Sequence, residues 1–354
     1  MRLESVQGLK VQLLRAIVEP IARRGATVRR AGARALEITL GVPGFGIGAK
    51  PMDTVQEVQR SLALGVAPHG KEYRLAIRLQ RVALRHSAIV DHLKSEAKGE
   101  VDIRMVGRID KRAKKGKVDV PWYRANTRPL LIGASVGHFD VTAGTLGAFV
   151  NRRGAICLLS NNHVLANEDV GAPGDMILQR AKFDGGRRPA DGVARLSHWV
   201  KLKRRGSNMV DAAIAVLNNA QPHDVRLLRE LVNGSNRTLK GLGPVFIDEG
   251  ETVYKIGRTT GPTKGRVTAF DLDNVVVNYD VGNLRFDGQI EIEGAGSQSF
   301  SDGGDSGSLI VNSRMEAVAL LFAGSDTGGR NGAGLTYANP IHVTLKELGA
   351  TLLF

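Results

Sequence analysis

Residues 301–309, S-D-G-G-D-S-G-S-L, constrain this chain more than any other stretch. Gly303, Gly304 and Gly307 bracket Asp305 and Ser306. Glycines so placed let a backbone turn tightly enough that consecutive N–H groups point into one small space. The N–H groups of Gly304 and Ser306 can then hold a developing oxyanion beside the Ser306 hydroxyl. A serine hydroxyl is a weak nucleophile alone, so such a site also requires a histidine base and an orienting carboxylate. Upstream, His163 lies in L-L-S-N-N-H-V-L-A and Asp211 opens D-A-A-I-A-V.

The order along the chain is His163, Asp211, Ser306. Three motifs, S-N-N-H-V, D-A-A-I-A and G-D-S-G-S, follow in that order, with Y-K-I-G-R-T-T-G-P-T-K-G-R-V-T-A from Tyr254 to Ala269 between the last two. On these motifs, residues from about 131 to 345 resemble the chymotrypsin-like serine proteases, their bacterial branch most closely. The resemblance implies a mainly β fold, a double six-stranded β-barrel behind a small α+β N-terminal domain. The first barrel is expected over about 131–220 and the second over about 245–345. It implies a serine endopeptidase that cleaves a protein or peptide through an acyl-enzyme intermediate. His163 is the expected base, Asp211 its orienting carboxylate, Ser306 the nucleophile, and Gly304 and Ser306 the oxyanion donors. Gly307 allows close packing behind the nucleophile. No metal or cofactor is called for.

The same resemblance assigns supporting residues. In digestive relatives the residue matching Asp305 pairs with an N-terminus freed by cleavage. Here a long segment precedes the barrel, and bacterial relatives carry a basic side chain at the position matching Lys255. Lys255 is therefore the expected partner of Asp305. Phe322 stands where relatives have a serine that touches the catalytic aspartate, so Asp211 is expected to lack one hydrogen bond. Phe300 falls at the base of the expected specificity pocket, where it cannot select Arg or Lys. Gly324 and Gly334 match the walls, and the pocket is expected to stay open to small or medium apolar side chains.

Charge divides the chain independently. The net charge is +14. Residues 1–130 hold 26 Lys and Arg against 12 Asp and Glu, whereas residues 131–354 hold 23 of each sign. The whole excess is N-terminal, which separates a basic region, 1–128, from a protease region, 129–354. The run K-R-A-K-K-G-K, residues 111–117, reads either as a solvated linker or as a contact for an acidic protein or a nucleic acid. Trp122 and Tyr123 follow it, without a nucleic-acid fold signature. The competing reading is a catalytically weak protease-fold binding module whose basic N-terminal region engages such a partner. No run of about 18 apolar residues is present, so no membrane span is expected. The one cysteine, Cys157, lies in the apolar run A-I-C-L-L and has no internal disulfide partner. With a starting sequence that lacks a secretory apolar core, this points to a reducing cytoplasm.

Periodicity fills in the elements. Residues 3–24 read as an amphipathic helix, with Pro20 ending or kinking it. Residues 35–50 read as a strand pair or a strand with glycine bulges. Gly44, Gly46 and Gly48 do not make a nucleotide loop there, because Pro51 and the Phe45–Ile47 alternation do not open a helix. Residues 73–82 and 101–109 alternate as strands, and 87–97 read as a helix capped by Ser87. Residues 225–233 read as a helix linking the barrels. A terminal helix and tail are expected from 340 to 353.

Overall fold

The structure, a computed structural model, describes residues 1–18, 61–110, 120–219, 221–245, 247 and 250–354. Three expectations lie outside these residues: the last part of the first helix, residues 19–24, the strand reading of 35–50 and the basic run 111–117.

Helix α1 (Leu3–Leu13) runs on as a π-helical turn to Val18. Its buried stripe, Val6, Leu13, Leu14 and Ile17, packs on a small sheet. In that sheet β1 (Leu62–His69) and β2 (Glu72–Leu79) form a hairpin, paired from Leu62↔Leu79 to His69↔Glu72. Helix α2 (Ala88–Glu96) leads to β3 (Val101–Met105), which lies parallel to β2. Ser87 is at the α2 N-cap position, but its hydroxyl donates to the Leu84 carbonyl instead of capping the helix. A two-residue strand, β4 (Ile109–Asp110), follows.

Six strands make the first curled sheet: β5 (Ser135–His138), β6 (Ala148–Arg152), β7 (Ala155–Ser160), β8 (Met176–Leu178), β9 (Gly192–Trp199) and β10 (Ala213–Leu217). They are ordered β6-β7-β10-β9-β8-β5 around Phe149, Leu158, Leu159 and Ile214. Residues 225–233 are not a helix. They form a hairpin of β11 (Leu227–Val232) and β12 (Ser235–Thr238). Asn233 and Gly234 both take positive φ, 51° and 74°, which suits a tight hairpin turn and ends any helical run.

The second barrel closes. Its strands are β13 (Thr252–Gly257), β14 (Gly261–Asp273), then the hairpin β15 (Val275–Tyr279) and β16 (Gly282–Phe286), then β17 (Gln289–Gly294), β18 (Leu309–Asn312), β19 (Glu316–Ser325) and β20 (Leu335–Pro340). The ring runs β13-β14-β17-β20-β19-β18 and back to β13. Helix α3 (Ile341–Leu348) leads to residues 351–352, which pair with β6 and tie the chain end to the first sheet. The fold is thus mainly β, one closed six-stranded barrel beside one strongly curled sheet, with helical elements at the N-terminal end.

The N-terminal sheet is continuous with the second barrel. β1 pairs antiparallel with β14, Leu64↔Asp273 and Val66↔Phe270. Leu13, Leu64 and Ile77 share one apolar cluster with Val267, Ile292 and Ile310. Buried charges cross the same junction. Arg78 Nε donates to both Glu291 carboxylate oxygens at 3.0 and 2.8 Å, and its Nη1 donates to the Asp102 carbonyl and carboxylate. Lys10 Nζ reaches Asp271 at 2.7 Å and Asp273 at 2.9 Å. Among the described residues, no helix is long and apolar enough to cross a membrane.

Candidate active site

His163 is set by one helical turn, Asn162–Leu165, directly after β7. Asn162 fixes that turn by donating from Nδ2 to Asp169 and to the Val200 carbonyl, at 2.7 and 2.8 Å. Asp211 stands just before β10, whose pairing with β7 brings the two residues together. His163 Nδ1 lies 2.5 Å from Asp211 Oδ2. The Asn162 and His163 N–H groups donate to Asp211 Oδ1 at 2.6 and 3.3 Å. Burial alone would raise the Asp211 carboxyl. His163, the Tyr279 hydroxyl and the His163 N–H overcome that and hold it below the ordinary carboxylate value.

The expectation of a missing hydrogen bond on Asp211 is corrected here. Tyr279, at the end of β15, donates its hydroxyl to Asp211 Oδ2 at 2.6 Å. Burial, then the Asp211 charge, pushes the Tyr279 hydroxyl well above its ordinary value, so it remains a donor. Its ring stacks on Phe286 at 5.9 Å, and Phe286 packs on Phe322 at 4.7 Å. Phe322 therefore offers no hydroxyl of its own but belongs to the aromatic row that seats Tyr279. Sequence reading missed Tyr279 because it belongs to none of the four motifs. The available signal was an unexplained polar aromatic at the end of V-V-V-N-Y, in a chain with 5 tyrosines.

Ser306 lies on the turn between Phe300 and β18. Gly304 and Gly307 take φ of 93° and 91°, conformations that L side chains rarely adopt. A Cβ on Gly307 would stand 2.0 Å from Ser160 Oγ and 2.4 Å from the Thr145 carbonyl, so only glycine fits. Thr145 ties the turn to the first sheet. Its N–H donates to the Ser306 carbonyl and its hydroxyl to the Gly304 carbonyl, at 2.8 and 2.9 Å. Among the described residues, neither the Gly304 nor the Ser306 N–H meets a protein acceptor. The Ser306 hydroxyl donates to the Phe322 carbonyl at 3.5 Å, and no hydrogen bond joins it to His163.

Lys255 and Asp305 do meet. Lys255 Nζ lies 3.1 Å from Asp305 Oδ2, and both side chains are fully buried. Asp305 Oδ1 accepts from the N–H groups of Thr259 and Thr260, and Oδ2 from the Thr260 hydroxyl and the Asp302 N–H. Burial disfavours both charges. For the ammonium it wins, and Lys255 sits below its ordinary value. For the carboxyl it is overcome by Lys255, the Thr260 hydroxyl and the two N–H groups of Asp302 and Thr259, so Asp305 also sits below its ordinary value. The carboxylate is the end of the pair with more hydrogen-bond partners.

The expected pocket residues are placed differently. The Phe300 ring is in the second barrel's core, 1% exposed, with Lys255 Nζ 5.8 Å from its centroid. Gly324 and Gly334 are buried. The edge at Gly324 is not open, because Asp110 of β4 pairs with it. His138 Nε2 donates to Asp175 at 3.0 Å, apart from the His163–Asp211 pair.

No family model and no curated protein matches the chain. Among solved structures it is similar to a glutamic-acid-specific serine protease, at 20% identity and a TM-score of 0.46, over 63% of this chain and 100% of that one. It is also similar to Thermobifida fusca protease A, at 18% identity and a TM-score of 0.44, over 63% of this chain and 99% of that one. An alpha-lytic protease homologue aligns at 22% identity and a TM-score of 0.40, over 63% of this chain and 100% of that one. These structural neighbours are bacterial chymotrypsin-like serine proteases.

Proposed function

We propose that the chain is a serine endopeptidase. Ser306 attacks the scissile carbonyl, His163 takes the hydroxyl proton and returns it to the leaving amine, and Asp211 holds the imidazole in the required tautomer. The Gly304 and Ser306 N–H groups receive the oxyanion. The observation that carries this reading is the buried His163–Asp211 pair at 2.5 Å together with two N–H groups without protein acceptors beside Ser306. The Ser306 hydroxyl rests on the Phe322 carbonyl, and its hydrogen bond to His163 is unmade. Long or unmade nucleophile–base bonds are usual in substrate-free sites. The substrate class is an extended protein or peptide. We place the protein in a reducing compartment, since its one cysteine is free and buried.

That unmade bond is also the observation that favours the second reading, a protease fold serving as a binding module for an acidic protein or nucleic acid. Covalent labelling with a fluorophosphonate separates the two. The endopeptidase reading expects stoichiometric labelling on Ser306, peptide hydrolysis, and loss of both in Ser306→Ala. A folded parent protein that neither labels nor hydrolyses peptides sinks it.

A further inference from the structure

Cleavage at Ser306 requires the substrate backbone to be held extended beside it. The Ser306 hydroxyl touches the Phe322 carbonyl, so β19 from Phe322 onward is the strand that leads away from the nucleophile. Up to Leu321, the edge of β19 that faces Ser306 is taken by the nucleophile's own turn. Gly307 N–H donates to the Leu321 carbonyl, and Leu321 N–H to the Ser308 carbonyl. The opposite edge is taken by β20, through Ala323↔Tyr337 and Gly324↔Thr336. What remains is the edge of residues 322–325 on the Ser306 side. An extended peptide adds to such an edge as a further antiparallel strand.

Here that edge is already occupied by the chain itself. β4 pairs antiparallel with it, Gly324↔Asp110 and Ser325↔Ile109. On its far side Asp110 pairs with Asn278 of β15, the strand that ends in Tyr279. β4 thus fills the gap between β15 and β19 as a bound peptide would. Ile109 is 2% exposed and shares an apolar cluster with Phe322 and Ala323. The residues before it are anchored. Val106 N–H donates to the Leu79 carbonyl at 2.9 Å, and the Thr327 hydroxyl donates to the Val106 carbonyl at 3.5 Å. Gly107 holds φ at 64°, and a Cβ there would stand 2.4 Å from the Thr327 hydroxyl.

We propose that β4 is an internal competitor for substrate: residues 109–110 occupy the peptide-docking edge beside Ser306, and a substrate enters only as β4 leaves. The proposal rests on the endopeptidase reading. β4 is two residues long. So short a strand opens locally at far lower cost than the sheet around it. Competition of this kind multiplies KM by the reciprocal of the open fraction and leaves kcat unchanged.

The test uses the full chain with Gly107→Val and, separately, Asp110→Pro. Valine is strained at a positive φ and meets Thr327, whereas proline removes the N–H from a residue flanked by strands on both sides. Two readouts are compared: hydrolysis of an extended chromogenic peptide, and labelling of Ser306 by a small fluorophosphonate, which needs no strand edge. The expected result is a KM lower by about tenfold or more with kcat unchanged, while labelling rates match the parent. Labelling also reports that a variant is folded. Should Asp110→Pro lose it, Gly107→Val, which leaves the ladder donors in place, decides. An unchanged KM with intact labelling overturns the proposal and leaves the endopeptidase reading standing. Loss of labelling in both variants overturns it too, because β4 would then be a strand the site cannot release. A parent that does not label removes the endopeptidase reading and this proposal together.

Discussion

Lys255→Met tests the support of the nucleophile turn most directly. Methionine keeps much of the side-chain volume and removes only the cation. Asp305 is then left fully buried with four neutral donors, the N–H groups of Thr259, Thr260 and Asp302 and the Thr260 hydroxyl. Breaking a buried ion pair from one side costs about 3–5 kcal/mol. Four surviving donors put this case at the lower end, about 3 kcal/mol. The sign with pH follows from the carboxylate. The folded-state pKa of Asp305 is depressed, so its contribution is present above its unfolded value and is lost as pH falls through the folded value. In the variant that depression shrinks. The deficit is therefore small in strong acid, about pH 2, and reaches its full size by about pH 7. Urea unfolding at the two pH values measures it. The double variant Lys255→Met with Asp305→Asn removes the stranded charge, and at pH 7 it should be more stable than Lys255→Met alone. Peptide turnover should fall by about 10² to 10³ as the Gly304–Ser306 turn relaxes. A deficit under about 1 kcal/mol that is equal at both pH values would place this pair with the energetically weak ones and refute the reasoning.

Ser306→Ala should lower peptide turnover by on the order of 10⁶ with an unfolding midpoint close to the parent's. A midpoint that collapses would show the hydroxyl to be structural. Tyr279→Phe keeps the stack on Phe286 and deletes one donor to a buried carboxylate. The expected loss is about 1.5–3 kcal/mol at neutral pH. Because Asp211 is held below its ordinary value, that loss should fade in acid, and urea unfolding across pH checks it. Arg78→Met strands Glu291 and should cost about 3–5 kcal/mol. A chain begun at Pro129 loses Arg78 and the strand on β14 together, so circular dichroism should show it unfolded or aggregated.

The parts of the site that sit on tight turns were legible from residue types. Gly304 and Gly307 had to be glycines, His163 and Asp211 lay on consecutive short motifs, and the expectation that Lys255 pairs with Asp305 came from the resemblance to bacterial relatives. What was not legible depended on strand pairing. Tyr279 reaches Asp211 because the β15–β16 hairpin folds back onto β4 and Asn208, and no local period announces that. Phe300 is six residues from Ser306, which suggested a pocket floor, but its ring turns inward behind Gly265. Residues 225–233 have an apolar spacing compatible with either helix or strand. The Asn233–Gly234 turn decided for a hairpin, and that signal stood in the sequence.

The charge asymmetry had a similar fate. A basic N-terminal region ahead of a neutral one invites an external acidic partner. Part of that acid is supplied from within the chain. Lys10 meets Asp271 and Asp273, Arg78 meets Glu291, and Arg104 approaches Glu293 at 3.9 Å, all carboxylates of the second barrel. Lys10 and Arg78 are nearly or fully buried, so these pairs fix the N-terminal sheet on β14 and β17. β4 is different. It follows the anchored β3 and meets β19 through the pairs Gly324↔Asp110 and Ser325↔Ile109. The sheet fixed on β14 and β17 therefore holds a two-residue strand at the edge beside Ser306, and in the proposed competition it is that strand which leaves for substrate to enter.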